Sequence, residues 1–257
     1  MNHPTGNISA LMITYNEVDH IDGVLDCLNF ADEIIVIDSF STDGTFEKLD
    51  TTKGVKVIQR AFKNFADQRN FAIAHATNKW LFFIDADERL TEASQKEIQE
   101  ITTNNTAHDA YKIPRTFLYQ EKVIRFSGLQ TDQVFRLFKN GTATYIEDRL
   151  VHEILDVKDS YGVLKHKMLH YSFANRESYK QKAEHYGQLK AEELFKKGKR
   201  PNAFHFYVKP TYKFLSNYIF RLGFLDGKAG YSICYLNAYG VWYRYKTLER
   251  LWLATPK

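Results

Sequence analysis

The sequence predicts an α/β fold: a mainly parallel, Rossmann-like sheet followed by a C-terminal helical extension. Three observations carry this. Four short apolar runs stand in the first 90 residues, helically spaced stretches separate them, and aromatic and basic residues concentrate after residue 203. Strand and helix alternating in this way imply right-handed crossovers and a sheet covered on both faces.

The runs ISALMI (8–13), EIIVID (33–38), VKVI (55–58) and WLFFID (80–85) are short and rich in β-branched or aromatic residues, so they read as buried strands. Helices are expected over 20–30, 45–51, 66–76 and 91–101. From 110 to 171 the segments YKIPR, KVIRFS, QVFRLFK and GVLKHKMLHY look like further strands, linked by irregular loops, that continue the sheet and build the second half of a cleft. Tyr179, Ala183, Tyr186, Leu189 and Leu194 suit an amphipathic helix over 177–199, ended by Gly198 and Pro201. Two more helices are expected, over 203–222 and 228–245, with a turn at GFLDG. The chain therefore divides into a catalytic domain, 1–175, and a helical, basic and aromatic-rich extension, 176–257.

With 257 residues, 44% hydrophobic and 26% charged, the chain is neither disordered, collagenous nor a disulfide-built miniprotein. Cys27 and Cys234 lack metal or redox spacing and read as reduced core thiols. The N-terminus shows no secretory pattern, and a cytoplasmic location is expected. The net charge of +4 hides an asymmetry, because residues 204–257 hold eight Lys or Arg against Asp226 and Glu249 and carry 15 of the 38 aromatic residues. A +6 aromatic segment favours an anionic partner surface. Its longest uncharged run, 229–243, is shorter than the roughly 20 apolar residues of a membrane span, so peripheral association at the inner face of the cytoplasmic membrane is expected. Tyr231, Tyr235, Tyr239 and Tyr243 form one stripe, read either as a core seam or as part of an interfacial helix.

In a parallel sheet, ligands bind beyond the carboxyl ends of the strands. Here those ends carry 14–17, 38–43 and 85–88, all conspicuously polar. Asp85 and Asp87, two residues apart at the tip of an apolar strand, suit one hard divalent cation, Mg²⁺ or Mn²⁺; the bland reading makes Asp87 a cap for the next helix. Asp38 ends another buried strand and can accept from a base imide or a ribose hydroxyl. In TYNE, Tyr15 offers a stacking face, Glu17 an acceptor, and Asn16 either a ligand contact or a turn.

TYNE at 14–17, VIDSFSTDGT at 36–45, QRN at 68–70 and DADE at 85–88 together resemble the family 2 glycosyltransferases of GT-A fold. The resemblance implies an inverting transferase whose nucleotide-sugar-binding half is 1–105 and whose acceptor-side half is 106–175. It implies donor contacts from Thr14, Tyr15, Asn16, Glu17, Asp38, Ser39, Gln68, Arg69, Asn70, Asp85 and Ala86. Asp38 would hold the base and Arg69 lie near the base or diphosphate, while Asp87, with Asp85, would handle the metal. QVFRLFKNG (133–141), VHE (151–153), LHYSF (169–173) and RLGFLDGKAGY (221–231) look like the branch of lipopolysaccharide inner-core β-glucosyltransferases. A UDP-hexose donor and a cell-envelope glycan or glycolipid acceptor are what that resemblance implies.

Inversion needs one carboxylate to deprotonate the acceptor hydroxyl, and Glu153 of VHE is favoured over Asp148. His152 either orients the acceptor or packs; His170 is a third metal ligand or a satisfied core histidine. Arg136, a cation between apolar neighbours, holds an acceptor phosphate or pairs with a cleft carboxylate. Two other readings compete: a sugar nucleotidyltransferase, disfavoured because TYNE stands where a glycine-rich basic loop belongs, and a non-catalytic nucleotide-sugar or membrane-surface binding module. The basic residues lie among helical aromatics, not in a nucleic-acid module, and no nucleic-acid partner is expected.

Overall fold

The structure, a computed structural model, describes residues 7–104, 107–146, 155–157, 160–173 and 175–254. It is α/β, in two compact units: Met1–Arg115 with Asp132–His170, and Thr116–Thr131 with Tyr171–Lys257. In the first unit β1 (Ile8–Thr14), β2 (Glu33–Asp38), β3 (Val55–Gln59) and β4 (Trp80–Phe83) alternate with α1 (Val18–Asp26), α2 (Thr45–Thr51) and α3 (Phe65–His75). Next come β5 (Glu88–Arg89), α4 (Glu92–Thr103) and the strands β6 (Ala110–Tyr119), β7 (Lys122–Ile124), β8 (Gln133–Lys139), β9 (Ala143–Tyr145), β10 (Leu155–Val157), β11 (Tyr161–Val163) and β12 (Met168–Phe173).

The large sheet has the order β3-β2-β1-β4-β8-β6-β12-β5, with β7 and β11 also on β6; β9 and β10 pair separately. Strands β1 to β4 are parallel, as their alternation with helices requires. Beyond β4 the sheet turns antiparallel, through β8 and then β6, so it is mixed and not mainly parallel across its width. β4 meets β8 only after β5, α4, β6 and β7 have intervened, so no crossover helix between neighbouring strands imposes the parallel direction there.

Residue parity divides the core. Ile8, Ala10 and Met12 of β1 and Trp80 and Phe82 of β4 face one side, with Ile21 and Val24 of α1 and Ile98 of α4. Leu11 of β1 and Leu81 and Phe83 of β4 face the other, with Ala66 and Ala72 of α3. Burial on both faces explains why these strands read as continuous apolar runs and not as alternating ones. Thr91 caps α4 by accepting from the Ser94 amide, 3.2 Å, so Asp87 is not that helix's cap.

The second unit contains α5 (Arg176–Lys196), α6 (Lys209–Leu215) and α7 (Gly227–Ala254). The helix expected over 203–222 is α6 flanked by two π-helical turns, Phe204–Val208 and Ser216–Phe220. Pro210 lacks an amide proton and crowds the preceding turn, and a widened turn accommodates it. The tyrosine stripe of α7 is not a core seam: Tyr231 and Tyr235 are exposed, whereas Ile233 and Leu236 fill the core with Phe117, Tyr119 and Tyr179. Tyrosine has a polar tip, and in the first half of this helix the hydroxyl-free Ile233 and Leu236 take the dry face. Among the described residues, no helix is long and apolar enough to cross a membrane.

Asp226 organises the start of α7. Its carboxylate accepts from the Arg125 and Phe126 amides, both 3.0 Å, and from the Ser127 hydroxyl, 2.8 Å. One turn on, a Cβ at Gly230 would stand 2.0 Å from the Gly223 carbonyl oxygen. Gly230→Ala is therefore expected to cost about 1–3 kcal/mol, the range for overpacking a filled site, read as a lower denaturant midpoint with unchanged slope.

Candidate functional site

The carboxyl ends of β1, β2 and β4 deliver three loops to one side of the parallel strands. The first two are sewn together by side chain to backbone bonds. Asn16, in the left-handed region at φ 55°, accepts from the Thr42 amide at 2.8 Å, and its own amide donates to Ser41 Oγ at 2.9 Å. The Glu17 amide donates to Thr45 Oγ1, 2.9 Å, and the Val18 amide to Asp43, 3.1 Å. Asp43 also accepts from Thr45, and although burial opposes it, hydrogen bonds from Thr45 and the Val18 amide hold its pKa below the usual carboxylate range. Thr14 is buried, and its carbonyl accepts from the Ser39 amide at 2.9 Å. Tyr15 is left projecting, 58% exposed, as a stacking face requires.

Asp38 is fully buried and holds its loop through the Ser41 amide, 3.0 Å, and hydroxyl, with Gln59 Nε2 at 3.3 Å. Gln68 of α3 donates to Ser39 Oγ and to the Arg60 carbonyl, both 3.1 Å, tying the ends of β2 and β3. Asn70 makes a reciprocal pair with the backbone of Tyr145, 2.9 and 2.8 Å, and so positions β9. Arg69 lies between them on the buried face of α3, over the rings of Phe83 and Tyr145.

Arg69 donates to one Asp85 oxygen at 2.8 Å and Arg136 to the other. Arg136 reaches Glu88 as well, at 2.8 Å; Glu88 also accepts from Arg115, 3.2 Å, and from the Asp85 amide, 3.0 Å. Arg115 in turn holds Asp132 at 2.6 Å. Burial alone would raise the pKa of Asp85, but the guanidiniums of Arg136 and then Arg69 outweigh it and hold the carboxyl well below the usual range. Burial correspondingly opposes the charge of Arg136, and Asp85 and Glu88 restore it.

This network revises two expectations. Asp85 has both oxygens on arginines, which leaves it poorly suited to a direct metal bond. Arg136, 5% exposed and shared by two carboxylates, takes the cleft-carboxylate role and not that of an acceptor contact. Asp87 instead faces His170 of β12, 3.2 Å away, at the level where β12 pairs with β5. These two side chains suit two of the ligands of a divalent cation that accepts oxygen and imidazole nitrogen. Among the described residues no group of three or more His, Cys, Asp or Glu is arranged for a metal. Ala86 is buried, and its carbonyl accepts from Arg89 at 2.6 Å, which pins the turn. Glu153, Asp148 and His152 lie outside the described residues.

Glu88, Arg115 and Asp132 escaped the sequence reading. Their signal was faint: IPR and VFR each set an arginine in an apolar strand, which requires a buried acidic partner, and Glu88 is the nearest acid to the aspartate pair.

The family described as Glycosyl transferase family 2 matches residues 9–149. An uncharacterized glycosyltransferase of Rickettsia bellii (strain RML369-C) is 30% identical over 262 residues, covering 96% of this chain and 87% of that protein. The lipopolysaccharide core biosynthesis glycosyltransferase LpsC of Rhizobium meliloti (strain 1021) is 25% identical over 255 residues, covering 95% and 94%. Among solved structures, S. aureus TarS 1-349 aligns at TM-score 0.45 and 17% identity, covering 96% of this chain and 91% of that one.

Glu88→Gln removes the charge that Arg136 and Arg115 share. Breaking one partner of a buried pair costs about 3–5 kcal/mol, and a loss of that size is expected in equilibrium urea unfolding. A change below 1 kcal/mol would mean that the arginines find other partners.

Proposed function

The chain belongs to glycosyltransferase family 2, and we propose that it is an inverting hexosyltransferase of GT-A type. In this reading it moves a sugar from a nucleotide-diphospho-sugar, UDP-hexose first, to a hydroxyl of a cell-envelope glycan or lipid-linked acceptor such as lipopolysaccharide core. The observation that carries it is the convergence of three polar loops, 14–17, 38–44 and 84–88, at the carboxyl ends of adjacent parallel strands, with the Asp85 carboxylate fixed between two arginines.

In this assignment Tyr15 and Asp38 meet the nucleoside, with Thr14, Asn16, Glu17, Ser39 and Gln68 shaping the loops around it. Arg69 lies beside the phosphates, Asn70 positions β9, and Asp85 and Ala86 line the donor. Asp87 and His170 hold a divalent cation, Mg²⁺ or Mn²⁺, whose charge, when bound, offsets that of the departing nucleoside diphosphate. Glu153, with Asp148 as the alternative, takes the proton of the acceptor hydroxyl as the new C–O bond forms and the bond to the diphosphate breaks; His152 orients the acceptor. The relation to LpsC supports an envelope-glycan acceptor over a free sugar. Segment 204–257, +6 in charge, holds the enzyme at the cytoplasmic face of an anionic membrane by a salt-screened attraction.

A thermal-shift screen of UDP, GDP and CMP sugars with and without Mn²⁺ tests the donor. At a hundred times its Kd, a bound donor adds about 2.7 kcal/mol to the native state. Wild type is expected to respond to a UDP-sugar more strongly with Mn²⁺, and Asp87→Ala to lose the Mn²⁺-dependent part; no response to any nucleotide sugar would refute donor binding. Glu153→Gln is expected to keep the donor shift and lose about 100-fold or more in turnover, as for a removed general base. Full activity in that variant, with Asp148→Asn inactive, moves the role to Asp148.

A further inference from the structure

The helical run around α6 presents Phe204, Val208, Tyr212, Leu215 and Ile219 to solvent, at steps of four and three. These fall on one face, beside which Tyr207 and Phe220 are about three-quarters exposed, at 74% and 76%. A continuous apolar stripe of this length on a helical surface marks an interaction site. Along its flank runs an open groove of about 500 Å³, lined by Pro210 and Phe214 of α6 and by Tyr235, Ala238, Tyr239 and Trp242 of α7. That volume lies within the range of small-ligand sites. Tyr239 spends its hydroxyl on Glu184, so it presents its ring to the groove.

The charges around the groove identify its ligand. The guanidinium of Arg176 stands 5.8 Å over the Tyr235 ring, and Lys209 reaches Tyr245 Oη at 2.7 Å. Lys213, next to Phe214, is partly buried, and its pKa is lowered first by that burial and then by Arg221 and Arg244. The nearby acids are engaged elsewhere: Glu184 of α5 accepts from Tyr239, Asp226 caps the 125–127 turn and Glu249 pairs with Lys246 at 2.7 Å. An apolar slot with Arg176 and Lys209 at its edges complements an amphiphile with a hydrocarbon chain and an anionic head. A second copy of the chain is disfavoured, because a symmetric contact would bring the same cations face to face.

We propose that the groove between α6 and α7 seats one acyl chain of an anionic phospholipid of the bilayer, with the headgroup against the flanking cations and the exposed stripe lying in the interface. The proposal rests on the reading of 204–257 as a membrane-surface segment and adds a chain-specific site to it. Tyrosine and tryptophan, apolar in body and polar at the tip, suit that depth.

Trp242 is a built-in reporter. The full chain carrying Trp252→Phe keeps only Trp80, buried in the first unit's core, and Trp242. It is mixed with phosphatidylglycerol vesicles whose acyl chains are either plain or brominated. The expected result is co-sedimentation with both vesicles and loss of tryptophan emission with the brominated lipid alone. Ala238→Phe, which fills the groove, is expected to abolish the quenching while keeping the salt-sensitive co-sedimentation; the comparison without that variant stands by itself should Ala238→Phe not fold. Co-sedimentation with equal emission from both vesicles overturns the groove and leaves surface association standing. Absence of co-sedimentation overturns both, without touching donor binding, which the thermal-shift screen reads in lipid-free solution. A concentration-dependent dimer that protects Trp242 from quenching assigns the groove to a second copy and overturns the proposal.

Discussion

Asp85 sits where the most buried strand of the sheet reaches its polar end, and two arginines hold it there. Without Arg69 and Arg136 a carboxylate at that depth would be driven toward its neutral form; with them it stays ionised and its direction is fixed. The second arginine is itself affordable only because Glu88, wholly buried, accepts from it and from Arg115, and Arg115 is completed by Asp132. The chain of alternating charges therefore links β4, α3, β5, β6 and β8. Each member makes the burial of the next tolerable, and the position of the DADE turn is a property of the whole set.

The same economy governs the two neighbouring loops. Neither 15–17 nor 39–44 has regular structure, so each must satisfy its amides some other way, and they do so largely with side chains from across the gap. Short polar residues predominate there because they serve as acceptors at little conformational cost. Asp38 belongs to this scaffold as much as to any ligand: it holds the Ser41 turn whose hydroxyl in turn supports Asn16.

Much of this was legible beforehand for a physical reason. Strands buried on both faces leave unbroken apolar runs, and α2, read over 45–51, coincides with Thr45–Thr51, where Gly44 at φ 96° turns the chain into the helix. Asp38, Asp85 and Asp87 could be singled out beforehand because each stands at or just past the end of an apolar run. Partnership was not legible. Whether Arg136 meets a ligand or Glu88 depends on a contact between residues 48 apart, which no local pattern encodes. The switch to antiparallel pairing after β4 is likewise a matter of register between distant strands. The tyrosines left two readings open because four-residue spacing marks a helical face without saying which face is dry.

The division of the chain also has a consequence during synthesis. Residues 116–131 belong to the unit whose remainder begins at Tyr171, so the first unit is interrupted by a segment that cannot yet be placed. The amide of Phe126 finds its acceptor in Asp226, 100 residues later. At a ribosomal pace of about 5–20 residues per second, that interval is roughly 5–20 s. During it the β6–β7 hairpin, with Phe117, Tyr119 and Ile124, waits without the α7 residues that complete its core. A nascent chain with a half-made apolar cluster exposed for seconds is a natural client for holdase chaperones, and its yield should depend on translation speed downstream of residue 131 more than upstream of it.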